Sequence, residues 1–64
     1  MTGRIKSYSG KSGYGFIHTE QGDVFFMHTD FIQKKSGYCQ VGNEVSFSPV
    51  TNSRGLRATQ IALV

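Results

Sequence analysis

Ser12-Gly13-Tyr14-Gly15-Phe16-Ile17-His18 and Asp23-Val24-Phe25-Phe26-Met27-His28 are the two stretches on which the reading of this chain turns. A strand sends successive side chains to opposite faces. With that period, the first stretch places Tyr14, Phe16 and His18 on one face, and Gly15 and Ile17 on the other. The second places Val24, Phe26 and His28 together, with Phe25 and Met27 opposite. Only Glu20-Gln21-Gly22 and their immediate neighbours separate the two, so a hairpin is the economical connection. Pairing them collects Tyr14, Phe16, His18, Phe26 and His28 on one surface. Flat rings with polar tips and flanking cations suit unstacked bases.

Working outward from that hairpin, three more strand-like segments emerge at residues 3–8, 43–50 and 56–63, beside 13–19 and 23–28. A change of parity between Ala58 and Ile61 predicts a bulge or bend in the last one. Thr29 to Gln33 reads as a short helical turn capped by Thr29 or Asp30. Turn-forming clusters fall between the segments at Ser9–Gly13, Gln21–Asp23, Ser36-Gly37, Val41–Asn43 and Asn52–Gly55. Five short strands at this spacing predict a small closed or nearly closed barrel. Ile5, Ile17, Phe25, Met27, Ile32, Val41, Val45, Phe47, Ile61 and Leu63 are its expected core. Tyr8, Tyr14, Phe16 and Phe26 are left outside. Each exposed ring forgoes about 1.5–3 kcal/mol of burial, and an exposed aromatic patch usually marks a binding surface.

Sixty-four residues leave room for one small core, which buries only about 60% of the unfolded chain's surface. Cys39 is the one cysteine, so no internal disulfide forms, and a reducing, cytoplasmic setting is expected (nuclear if the source is eukaryotic). The N-terminal residues lack the apolar run of a signal peptide, and no segment approaches the roughly 20 apolar residues of a membrane span. Seven Lys and Arg against four Asp and Glu give a net charge of +3, and residues 1–19 and 45–64 contain no acid. Such an excess beside aromatic segments favours a polyanionic partner.

Gly3-Arg4-Ile5-Lys6, Gly13-Tyr14-Gly15-Phe16-Ile17 and Phe26-Met27-His28, in this order and spacing, resemble the cold-shock domain. Gly37-Tyr38, Gly42-Asn43-Glu44-Val45-Ser46-Phe47 and Arg54-Gly55-Leu56-Arg57-Ala58 extend the likeness over nearly the whole chain. The resemblance implies an all-β, five-stranded antiparallel Greek-key barrel of the OB-fold type over residues 1–64, one cold-shock-like domain. It also implies that strands 2 and 3 stack the bases of single-stranded RNA or DNA. Carried over by position, the motif aromatics are Tyr14, Phe16, Phe26 and His28, with Tyr38 on a loop beside them and Lys6 and Arg54 as cations. Three positions depart from the family pattern. Ser7 replaces a tryptophan, Ser12 a lysine, and Thr29 an aromatic.

The expected nucleic-acid-binding residues are therefore Lys6, Tyr8, Lys11, Tyr14, Phe16, His18, Phe26, His28, Tyr38 and Arg54. A stacked base is worth about 1–3 kcal/mol, so two missing platforms predict weakened, sequence-tolerant binding. Capture of unpaired bases corresponds to the RNA-chaperone role that the resemblance implies. The alternative is a small barrel that uses the same patch to hold a protein partner. No nucleophile–base pair, paired carboxylate site or cofactor fingerprint is present, so neither an enzyme, a small-molecule substrate nor a cofactor is expected. His18, His28, Asp30 and Cys39 lack the paired spacing of a structural metal site. Gly10-Lys11-Ser12 echoes the end of a P-loop, but Ile5 stands where its first glycine belongs.

Overall fold

Five strands form close to where the alternation predicts them: β1 Thr2–Ser9, β2 Tyr14–Thr19, β3 Gly22–Met27, β4 Glu44–Asn52 and β5 Gly55–Leu63. The structure is a computed structural model and describes residues 1–64. The strands close a barrel in the order β1-β2-β3-β5-β4. All neighbouring pairs are antiparallel except β3 and β5, which meet in parallel through Phe25 and Arg57. No helix is long and apolar enough to cross a membrane.

The β2–β3 turn contains only Glu20 and Gln21, so Thr19 faces Gly22 and Phe16 faces Phe25. Gly22 takes a φ of 104°, which a residue without Cβ adopts freely. The Thr19 hydroxyl donates to the Gly22 carbonyl at 2.7 Å and accepts the Gln21 N–H at 3.1 Å, fixing the turn. This register corrects the expected surface. Val24 and Phe26 point into the barrel, fully buried, while Phe25 and Met27 lie half-buried on its outer side. A slip of one residue exchanges the faces of a strand, and Val24-Phe25-Phe26-Met27 is apolar on both.

Two bulges shape the barrel. In β1, Ile5 faces Ile17 but Ser7 faces Phe16, so Lys6 is the extra residue. Ile5 therefore points inward, and so, two places after the bulge, does Tyr8 opposite Gly15. Gly15 has to be glycine, because a Cβ there would run into the Ser7 carbonyl and sit 2.9 Å from Tyr8 Cα. In β5 the predicted parity break is present. Ser46 pairs with Ala62 and Ser48 with Thr59, and Gln60 takes a φ of 51° between them. Both Ala58 and Ile61 can then face inward.

The core joins Ile5, Ile17, Val45, Phe47 and Ile61, as expected, to Val24, Phe26, Phe31, Cys39 and Ala58. Tyr8 stacks on Phe26 at 5.9 Å and 14°, and Phe31 meets the same ring edge-on at 5.8 Å. Ile32, Val41 and Leu63 are exposed, contrary to expectation. The helical turn is shorter than expected, a 3-10 turn over His28–Asp30. Chain extension resumes at Phe31, so this ring enters the core through its bridge to Ile61, and Ile32 points away.

Candidate nucleic-acid interface

The outer face of the β2–β3 hairpin carries three contiguous rings. Tyr14 lies 5.5 Å from Phe25 with the ring planes tilted by 40°. Phe16 meets Phe25 edge-on at 5.9 Å. Tyr14 and Phe16 are 42% and 38% exposed, a large apolar surface for so small a protein to leave uncovered. Phe25 is the middle ring, and its place follows directly from the register with Phe16. Phe26, expected on this surface from the alternation alone, is sealed in the core. The length of the Glu20-Gln21 turn is the signal that distinguishes them.

A groove of about 590 Å³ runs between these rings and the β4–β5 hairpin. Asn52, Arg54, Leu56 and Arg57 form its far wall. Arg54 is exposed and makes no ion pair, while its backbone N–H donates to Asn52 Oδ1 at 2.9 Å to hold the turn. Arg57 is held firmly. Its Nε and Nη2 donate to the two oxygens of Asp30 at 3.2 and 3.1 Å, and Asp30 also accepts the Met27 N–H at 3.0 Å. Arg57 is not among the binding residues that the sequence motifs indicate. Its pairing with Phe25 across the β3–β5 joint and its partner Asp30, twenty-seven positions away, give it a place in the wall.

A polar cluster borders the rings at their other end. His18 follows Phe16 on the outer face of β2 and pairs across the ladder with Asp23. Asp23 accepts from Lys6 Nζ at 2.8 Å and lies 3.3 Å from His18 Nδ1. The Lys6 hydrogen bond, then that of His18, holds the Asp23 carboxyl below the usual carboxylate range. An acid therefore stands on the aromatic hairpin's outer surface and engages one of the expected cations. Arg4 is similarly occupied, with Glu44 at 3.7 Å. Lys11, Lys34, Lys35 and Arg54 carry no ion pair.

The remaining expected residues sit apart from the groove. Tyr8 and Tyr38 are half-buried against the core, Tyr38 edge-on to Phe31 at 4.9 Å. Burial, then the neighbouring Cys39 sulfur, raises the hydroxyl pKa of both tyrosines, and burial raises that of the Cys39 thiol. His28 is half-buried in the 3-10 turn, its N–H bonded to the Gly13 carbonyl at 2.9 Å. Its ring packs over Gly13, where a Cβ would come within 2.9 Å of His28 Cδ2. Lys11 is exposed on the β1–β2 loop.

The profile of the 'Cold-shock' DNA-binding domain matches residues 1–64. Cold shock-like protein CspC of Bacillus cereus is 38% identical over 63 residues, covering 95% of each chain. Cold shock protein CspD of Bacillus subtilis is also 38% identical over 63 residues, covering 95% of this chain and 94% of its own. The solved structure of drosophila Unr CSD456 superposes with a TM-score of 0.77 at 26% identity over 98% of this chain, which spans 26% of that longer one. The all-β closed barrel and the profile matching it from end to end agree, and the chain belongs to the cold-shock domain family, whose members bind single-stranded nucleic acids and are not enzymes.

Proposed function

We propose that this protein binds single-stranded RNA or DNA by stacking bases on Tyr14, Phe16 and Phe25, with flanking cations following the phosphates. The observation that supports this most directly is the uncovered row of three touching rings facing a groove with arginines on its far wall. Duplex offers such a row nothing, because its bases are already stacked. Lys11 and Arg54 are free for phosphates, and Lys6 and His18 join them to the extent that Asp23 releases them. Tyr8, Tyr38 and His28 act at most from the rim, and Phe26 acts by holding the barrel that carries the platform.

Each stacked base contributes about 1–3 kcal/mol. Ser7 and Thr29 offer no ring, and Met27 stands on the outer face of β3 where a further ring would extend the row. The expected affinity is therefore weakened, roughly micromolar for a short oligonucleotide in low salt. Rings fixed on strands lose little freedom on binding, so most of the ordering cost falls on the nucleic acid. Occupying unpaired bases would pull hairpins toward their open form by mass action, without ATP, which is an RNA-chaperone activity. Titration with oligo-dT and oligo-U tests the binding, and no saturation below about a millimolar would overturn it. Hairpin melting at saturating protein tests the chaperone activity, which an unchanged melting curve would exclude.

A further inference from the structure

Arg57 is engaged by Asp30 along one side only. The carboxylate takes Nε–H and one proton of Nη2. Five N–H donors radiate from a guanidinium in a fixed plane. Two protons on Nη1 and one on Nη2 are left with no acceptor in the protein, and one from each nitrogen makes up the end-on fork. Asp30 is itself well buried, with its side chain 11% exposed, and it is tied to the Met27 N–H. It cannot swing away easily, so the fork is held in one orientation. The Arg57 side chain is 34% exposed and lines the groove, and its backbone is in register with Phe25, the central ring. Arg54 lies farther out, in the Asn52–Gly55 turn, and has no such anchor.

We propose that Arg57 is a specificity residue that reads guanine, favouring guanine-containing single strands over homopyrimidine ones. The proposal rests on the stacking reading above, with the base seated on Phe25. Guanine presents O6 and N7 as two adjacent acceptors on the edge away from its sugar, the match for an end-on arginine fork. Adenine and thymine place a donor or a methyl beside their acceptor on that edge. Cytosine carries a donor there, and its O2 lies beside its own sugar. A fork already oriented by a carboxylate loses little freedom when it binds. Its position beside the ring directs it to a base edge, and the unanchored Arg54 is better placed for phosphate.

The test is equilibrium titration of wild-type protein with labelled hexathymidylate and with the same oligomer carrying one central guanine, 7-deazaguanine or cytosine. The guanine oligomer should bind about 5- to 30-fold more tightly than hexathymidylate. 7-Deazaguanine, which lacks the N7 acceptor, should lose most of that gain, and this comparison needs no variant. Arg57→Gln and Arg57→Lys should bring the guanine oligomer to parity with hexathymidylate, the readout being the ratio of the two affinities within each variant. Parity in the wild type, a preference for cytosine, or a guanine preference that survives both variants would overturn the proposal. So would an unchanged preference in Arg57→Gln together with a salt slope reduced by about 0.7, the mark of a phosphate contact. Failure of every oligomer to bind would overturn the stacking reading itself, whereas binding without base preference refutes only the role of Arg57.

Discussion

Phe25 and Phe26 are adjacent and chemically identical, yet replacing each with alanine should damage different properties. Phe26 is fully buried and touches two other rings, Tyr8 at 5.9 Å and Phe31 at 5.8 Å. Truncating such a residue costs about 3–5 kcal/mol. At roughly 0.05–0.15 kcal/mol per residue, a chain of 64 residues holds only about 3–10 kcal/mol in total. An unfolding entropy of about 2.1 cal/mol/K per residue turns the loss into a drop of roughly 20–35 °C in Tm. Phe26→Ala should thus be largely unfolded at 37 °C or close to it. Phe25 is half-buried and touches Tyr14 and Phe16 on the outer face, so Phe25→Ala should cost only about 1–1.5 kcal/mol. Its oligo-dT affinity should fall about 5- to 150-fold. Thermal unfolding by circular dichroism and anisotropy titration of a labelled oligonucleotide measure the two effects. Equal melting temperatures for the two variants would refute the register. Undiminished binding by Phe25→Ala would refute the platform.

The polar cluster at the end of the rings makes a second prediction. Asp23→Asn should free Lys6 for phosphate, tightening binding in low salt and steepening the log–log salt slope by about 0.7; an unaltered slope would show that Lys6 does not meet the backbone. Gly15→Ala should destabilise by at least about 2 kcal/mol in a denaturant titration, because the new methyl collides with β1 main chain at the bulge. Stability should also fall at both ends of the pH range. The lowered pKa of Asp23 means its contribution is complete above the unfolded value near 3.8 and is lost as pH drops through the folded one. The raised pKa values of Cys39, Tyr8 and Tyr38 mean that the folded state holds protons the unfolded chain releases above about pH 9–10, so stability declines there. Melting curves from pH 2 to 11 check both windows, and Asp23→Asn should flatten the acid one.

Much of the fold could be read from alternation and turn residues. The five strands, the barrel and the break in β5 were all visible, since Ala58 and Ile61 cannot both face inward without an extra residue. Tyr14 and Phe16 were correctly placed outside because Gly15 and Ile17 leave β2 only one apolar inner face. β3 gave no such guide. With Val24, Phe25, Phe26 and Met27 all apolar, its orientation depends on whether Gly22 belongs to the turn or to the strand. Putting Gly22 in the turn pairs Phe16 with Phe26; the structure puts it in the strand, and Phe25 takes that place. Ile32, expected in the core, lies outside it and Phe31 lies within, because the 3-10 turn ends at Asp30 and no local signal sets that end. The Arg57–Asp30 pair joins residues distant in sequence across the barrel, a contact that periodicity does not encode.

The cylinder is shut at its weakest line, where β3 and β5 run side by side with one ladder pairing, Phe25 with Arg57, and a lone bridge from Phe31 to Ile61. Those two ladder partners also face the groove. A bound oligonucleotide spanning them would act as a clasp across the joint, so occupancy of the surface and resistance of the barrel to opening are tied together. Amide exchange at the β3–β5 joint should slow on binding, while that across the β1–β2 and β4–β5 ladders, already secured by runs of antiparallel pairs, changes little.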